Sequence, residues 1–222
     1  MPSSIVHIGF ALLLAVGLLG RYYDRRALLV VIAVVLFPEL DTLLGWVMAG
    51  AHRTVLHTML TSVFAGGLLW WETRRSNSWI RGRWGDYGVH VAWVALFAHT
   101  FAHLALDWAH LEGINILWPL VDQFVRLDGE LYYSSTEGFV QTFVDFDIDE
   151  ETGATVVDPG QTGTTATTHV SNPAQPTSDP DPGPVNRQFP IAWNGWQLYL
   201  VVTGVFAVVA KRLQTPRVER DD

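Results

Sequence analysis

The sequence predicts an all-α membrane protein of about five transmembrane helices, with a small extracytoplasmic β-hairpin-like insertion and a disordered tether late in the chain. Three observations predict it. Apolar residues gather into five blocks, at 5–20, 27–48, 54–71, 88–109 and 194–210, several of which reach the roughly 17–25 residues that a bilayer-spanning helix needs. Basic residues fall on alternate connections between those blocks. Thr, Pro, Asp and Gly then concentrate in one late stretch with almost nothing to bury.

The first block, 5–20, is preceded by no basic segment and followed by no small-residue cleavage pattern before Arg21, so it reads as a retained span rather than a signal peptide. Arg21, Arg25 and Arg26 separate it from the second block. Arg74, Arg75, Arg81 and Arg83 separate the third from the fourth, and Lys211, Arg212, Arg217 and Arg220 follow the fifth. Five spans put these three segments on one side, and they hold eleven of the fourteen basic residues. Cytoplasmic loops accumulate Lys and Arg. The expectation is a multi-pass protein of the cell membrane with its N-terminus outside and its C-terminus cytoplasmic.

Four organisational segments follow: a four-span helical core at 1–128 carrying the polar site, a hairpin-like insertion at 129–157, a linker at 158–190, and the fifth span with a basic tail at 191–222. The segment 131–157 is rich in β-branched and aromatic residues around a polar turn, the pattern of a hairpin. The segment 158–186 has the composition of a disordered tether. Residues 112–190 carry thirteen of the twenty-two acidic residues, of which Asp145, Asp147, Asp149, Glu150 and Glu151 in the hairpin read as a solvated face rather than a calcium site. A single Lys, a net charge of −8 and these acidic loops point to a halophilic, haloarchaeal source. Nothing basic enough to hold a nucleic acid is present, and the absence of cysteine excludes disulfides and thiolate metal sites.

The chemistry lies in the fourth block. VHVAWVALFAHTFAHLALDWAHLEG sets His99, His103 and Asp107 four residues apart, so on a regular helix they line one face. Ionisable groups within a span are costly and by default mark a functional site. Topology brings others to the same outer face. His7 lies near the start of the first span and Asp41 near the outer end of the second, and His52, Arg53 and His57 open the third. Each has a bland alternative: an interhelical hydrogen bond for His103 and Asp107, a helix end for Asp41, interfacial polarity for His52 and Arg53. Convergence from four spans favours a metal site with His7, Asp41, His57, His99, His103 and Asp107 as ligand candidates. Imidazole with carboxylate suits Zn²⁺ first, with Mn²⁺ or Fe²⁺ as alternatives. Arg53, beside His52, could clamp a phosphate or carboxylate. His90, His110 and His169 are assigned no role.

These residues resemble a known family. An early His, the Pro38–Asp41 pair, His52-Arg53 with His57, and His103 with Asp107 followed by Gly113 and Leu117-Trp118-Pro119 look like the YdjM-like membrane-bound metal-dependent hydrolases, over roughly residues 1–120 and the fifth span. Pro-Glu-Leu-Asp stands where that family usually shows Pro-Asp-x-Asp. The family is more remotely similar to zinc-dependent phospholipase C and the S1/P1 nucleases. The resemblance implies His7, Asp41, His57, His103 and Asp107 as ligands, His52 and His99 as further ligands or orienters, and Arg53 on the substrate anion. It implies cleavage of a small phosphoester or lipid-like substrate at the outer face by metal-activated water. Competing classes are a haem-binding redox protein, a transition-metal transporter or sensor, and a structural membrane protein. Two carboxylates among histidines near one interface are poor company for haem, and an odd span count without visible repeats fits poorly with a duplicated transporter.

Overall fold

The apolar runs fold as helices where caps and punctuation allow. The computed structural model describes residues 2–214 apart from 49, 111, 149–154, 169 and 171–189. Its helices are α1 (Ser4–Leu18), α2 (Arg25–Leu36), α3 (Met59–Arg74), α4 (Trp79–Ala98), α5 (Ala105–Trp108) and α6 (Gly195–Gln214), with short strands β1 (Ile114–Asn115), β2 (Phe124–Val125), β3 (Leu131–Ser134), β4 (Gly138–Gln141), β5 (Asp145–Ile148), β6 (Thr155–Asp158) and β7 (Gln161–Gly163) between the last two. Among the described residues, three helical runs are long and apolar enough to cross a membrane: Arg25–Trp46, Trp79–Trp108 and Gly195–Gln214. Ser4–Leu18 is apolar but shorter.

Two departures from regular helix matter. Pro38 follows the last turn of α2, and the chain continues as a 3₁₀ helix over Phe37–Trp46, because proline lacks the N–H that the α ladder needs. Between α4 and α5 the run His99–Leu104 is a π-helix. Such turns concentrate at functional sites. Thr100 there turns its hydroxyl back to the Leu96 carbonyl (3.0 Å) and to Ser62 (2.9 Å).

The chain forms two compact units. One comprises Pro2–Phe37, Ser62–His103 and Asn186–Asp222. Its core is built from Ala11, Ala15, Leu19, Ala27, Val31, Val35, Val91, Val94, Ala95, Ala98 and Ala102, mostly small side chains that let α1, α2 and α4 approach closely, as helices in lipid do. At Gly9 a Cβ would lie 2.7 Å from the Val201 Cα, so only glycine permits that contact between α1 and α6. Asp24 caps α2 by accepting from the Ala27 N–H at 2.7 Å, and Ser78 caps α4 by accepting from the Arg81 N–H at 3.1 Å. Glu72 ties the α3–α4 turn by accepting from Ser78 Oγ and the Ile80 N–H. Many large apolar side chains on these helices, including Leu29, Val30, Val63, Phe64, Val202, Val205 and Phe206, are exposed, which suits lipid as solvent.

The other unit comprises Met1, Pro38–Thr61 and Leu104–Val185. Here β1, β2 and β7 form an antiparallel sheet, and β3–β4 and β5–β6 are separate antiparallel pairs. The strand β7 falls in the stretch whose composition reads as tether. Its neighbours explain the order: Asp122 accepts from the Thr165 hydroxyl (2.6 Å) and N–H (3.1 Å), and Thr167 Oγ1 accepts from the Thr164 N–H (2.9 Å). Most of the remaining tether, 171–189, lies outside the described residues. The loop after the 3₁₀ helix is sewn to β1, since the Asn115 N–H donates to the Arg53 carbonyl (3.0 Å) and the Met59 N–H and Thr58 hydroxyl both donate to the Ile116 carbonyl (2.9 Å each). That stitching fixes Arg53 and His57.

Candidate metal centre

In the unit that holds β1, one carboxylate organises two imidazoles. His52 Nδ1 lies 2.9 Å from Asp41 Oδ1, and His57 Nδ1 lies 2.7 Å from Asp41 Oδ2. A carboxylate only accepts, so both Nδ1 atoms carry the proton and both rings present a lone pair from Nε2 in their neutral form. The rings meet edge to face with centroids 5.5 Å apart. His57 Nε2 lies 3.3 Å from Asp107 Oδ2. On its other oxygen Asp107 accepts from Arg53 Nη2 at 2.9 Å, while Arg53 Nη1 reaches the Gly113 carbonyl (3.3 Å) and Glu112 Oε2 (3.4 Å).

All five of these residues, Asp41, His52, Arg53, His57 and Asp107, are buried. Two carboxylates against one guanidinium leave the buried set one positive charge short while both imidazoles are neutral. Uncompensated buried charge is expensive, so the set favours a cation, either a proton on an imidazole or a metal ion. Arg53 is held at a φ of 61°, a left-handed conformation that costs a non-glycine residue about 1–2 kcal/mol and is characteristic of functional sites. Outside the apolar helices, Glu112 is held below the usual carboxylate range by the His110 imidazole, burial opposing, with the Arg53 guanidinium adding to the effect.

In the helical unit, His7 Nδ1 donates to the Ala102 carbonyl at 2.8 Å, and its ring stacks on His103 with centroids 4.1 Å apart. A carbonyl partner on Nδ1 turns the Nε2 lone pair outward, the usual preparation of a metal-binding histidine. His99 is buried one turn earlier in the π-helix. The same helical run continues from His103 to Asp107, about one turn on. His7, His103 and Asp107 are all buried, and two imidazoles with a carboxylate are a donor set that could hold a metal ion.

The residues picked from sequence therefore fall into two sets. Asp41, His52, Arg53, His57 and Asp107 share one hydrogen-bonded network, and His7 and His103 share a stacked pair. Arg53, which the resemblance puts on the substrate anion, has both terminal nitrogens engaged within the protein. Glu39, the acid of Pro-Glu-Leu-Asp, is only partly buried, whereas Asp41 is wholly so. His90 is half-buried, and its Nε2 donates to the Leu18 carbonyl at 2.8 Å. Glu112 and Asn115 were missed. The only signal for Glu112 was an acid beside Gly113 soon after Asp107, and Asn115 acts through its backbone.

No curated protein and no solved structure matches the chain. The model of the YdjM inner membrane protein family matches residues 1–162, and with apolar helices and a buried His/Asp donor set in place, the chain belongs to that family.

Proposed function

We propose that the protein is an integral-membrane metal-dependent hydrolase that cleaves a phosphoester or another bond close to the lipid surface. The observation that carries this reading is the preparation of buried imidazoles as metal donors: His7 through the Ala102 carbonyl, His52 and His57 through Asp41. His7, His103 and Asp107 supply the donors, with His99 one turn earlier on the helix of His103, and Zn²⁺ fits two imidazoles and a carboxylate best. When bound, such an ion activates water and stabilises the oxygens of a displacement. The chain's own contribution is to bury the donors, fix their tautomers, and hold Asp107 against Arg53. Topology in this proposal has five spans, with the N-terminus outside, the C-terminus cytoplasmic and the site at the outer face. The basic residues on alternate connections support it.

The test is elemental analysis of protein purified in detergent, paired with hydrolysis of a chromogenic phosphodiester. Stoichiometric zinc, manganese or iron with turnover that His103→Ala abolishes is the expected result. Metal-free protein after purification and reconstitution would end the reading. Metal-dependent uptake into proteoliposomes without hydrolysis would replace it with a transport role.

A further inference from the structure

Asp41 reads from sequence as a metal ligand, but its geometry assigns it different work. Both of its oxygens are occupied by imidazole N–H groups, His52 Nδ1 at 2.9 Å and His57 Nδ1 at 2.7 Å. Thr42 Oγ1 also lies 3.3 Å from His52 Nδ1. Each oxygen accepts one of these N–H groups, so the carboxylate fixes the proton on Nδ1 of both rings.

The opposite edges of the two rings are where donor capacity lies. His52 Nε2 is buried and has no hydrogen-bond partner among the described residues. His57 Nε2 faces Asp107 Oδ2 at 3.3 Å, a long N–H···O bond when that nitrogen carries a proton. Two ligands of a tetrahedral zinc, each roughly 2.0–2.1 Å from the ion, stand about 3.3–3.4 Å apart. The separation therefore fits an edge of a tetrahedral site. Asp107 stays oriented because its other oxygen is held by Arg53 at 2.9 Å.

Resting on the metal reading above, we propose that Asp41 is a positioning residue, whose one carboxylate fixes both His52 and His57 as Nε2 donors, and that His57 Nε2 with Asp107 Oδ2 forms the chelating edge of a metal site to which His52 Nε2 is the next donor. The competing account is a protonated His57 bridging two carboxylates with no ion between them.

Imidazole nitrogen NMR on full-length protein labelled with [¹⁵N]histidine, without and with zinc, separates the two. His52→Ala and His57→Ala provide the assignments. The expected result is the Nδ1–H form of both rings, with the His57 Nε2 signal shifted by zinc. Asp41→Asn retains zinc stoichiometry but weakens affinity about 10–100-fold, the usual effect of losing an outer partner of a ligand, and changes the tautomer of at least one ring. Two results overturn the proposal: His57 protonated on both nitrogens in zinc-loaded protein, or Asp41→Asn abolishing zinc uptake while both tautomers persist, which would make Asp41 a ligand. If Asp41→Asn does not fold, the wild-type spectra decide alone. Wild-type protein that takes up no zinc, manganese or iron sinks the metal reading and the ligand roles together. Bound zinc with the wrong nitrogen pattern sinks only this proposal.

Discussion

Arg53 Nη2 donates to Asp107 Oδ1 at 2.9 Å, joining two buried residues that lie 54 positions apart in the chain. Removing one partner of such a pair leaves an uncompensated buried charge. Arg53→Ala is expected to destabilise the fold by about 3–5 kcal/mol, measured by chemical denaturation in detergent. Because position 53 sits at a φ of 61°, Arg53→Gly should be more stable than Arg53→Ala by about 1 kcal/mol. Equal stability of the two variants would show that the left-handed backbone is not retained.

Close helix contact at Gly9 makes a second prediction. A Cβ there would meet the Val201 backbone at 2.7 Å, which no rotamer can relieve. Gly9→Ala should therefore push α1 from α6 and cost about 1–3 kcal/mol. Gly17→Ala, on the same helix with nothing within 4 Å of its added Cβ, is the matched control and should be neutral or slightly stabilising.

Metal content should respond to particular histidines. His7→Ala removes both the stacked partner of His103 and the imidazole prepared by Ala102, and is expected to lower bound metal substantially. His90→Ala removes a half-buried ring outside both polar sets and should leave metal content unchanged. Equal loss in both variants would trace the effect to folding rather than ligation.

Metal removal should also appear in stability. An ion that binds only the folded state at a hundred times its Kd adds about 2.7 kcal/mol. Chelation followed by thermal denaturation is expected to lower the Tm, and restored zinc to recover it. A Tm indifferent to both treatments would argue against a resident ion.

A helix cap offers a smaller, local test. Asp24 accepts from the Ala27 N–H and also from the Tyr87 hydroxyl at 3.0 Å. Asp24→Ala should cost about 1 kcal/mol, whereas Asp24→Asn, which retains a capping oxygen, should cost less. Denaturation midpoints of the two variants measure the difference.

Much of the polar site was legible because His and Asp are rare in apolar runs, so each one present carried information. His103 and Asp107 could be placed on one helix by spacing alone. The pairing of Arg53 with Asp107 could not, since it depends on the loop being stitched to β1 at Asn115 and Ile116. Nor could the sharing of Asp41 by His52 and His57, because periodicity places a residue on a face without saying which atom faces which. Apolar blocks located the helices well, yet the short lengths of α1 and α3 leave, among the described residues, three runs long enough by themselves to span a membrane. Strand β7 was hidden by composition, since a Thr-rich stretch looks solvated until Asp122 is seen to hold Thr165.

The π-turn at His99–Leu104 acts as an angular spacer within one helix. Each residue of an α-helix advances the azimuth by about 100°, and a π-turn accommodates one residue more than the regular ladder would. Deleting a single residue such as Phe101 would let the segment relax to ordinary α geometry and swing everything beyond it by about that angle. The phase of the helix, and not just the choice of His and Asp, is thus part of what the chain encodes at this position.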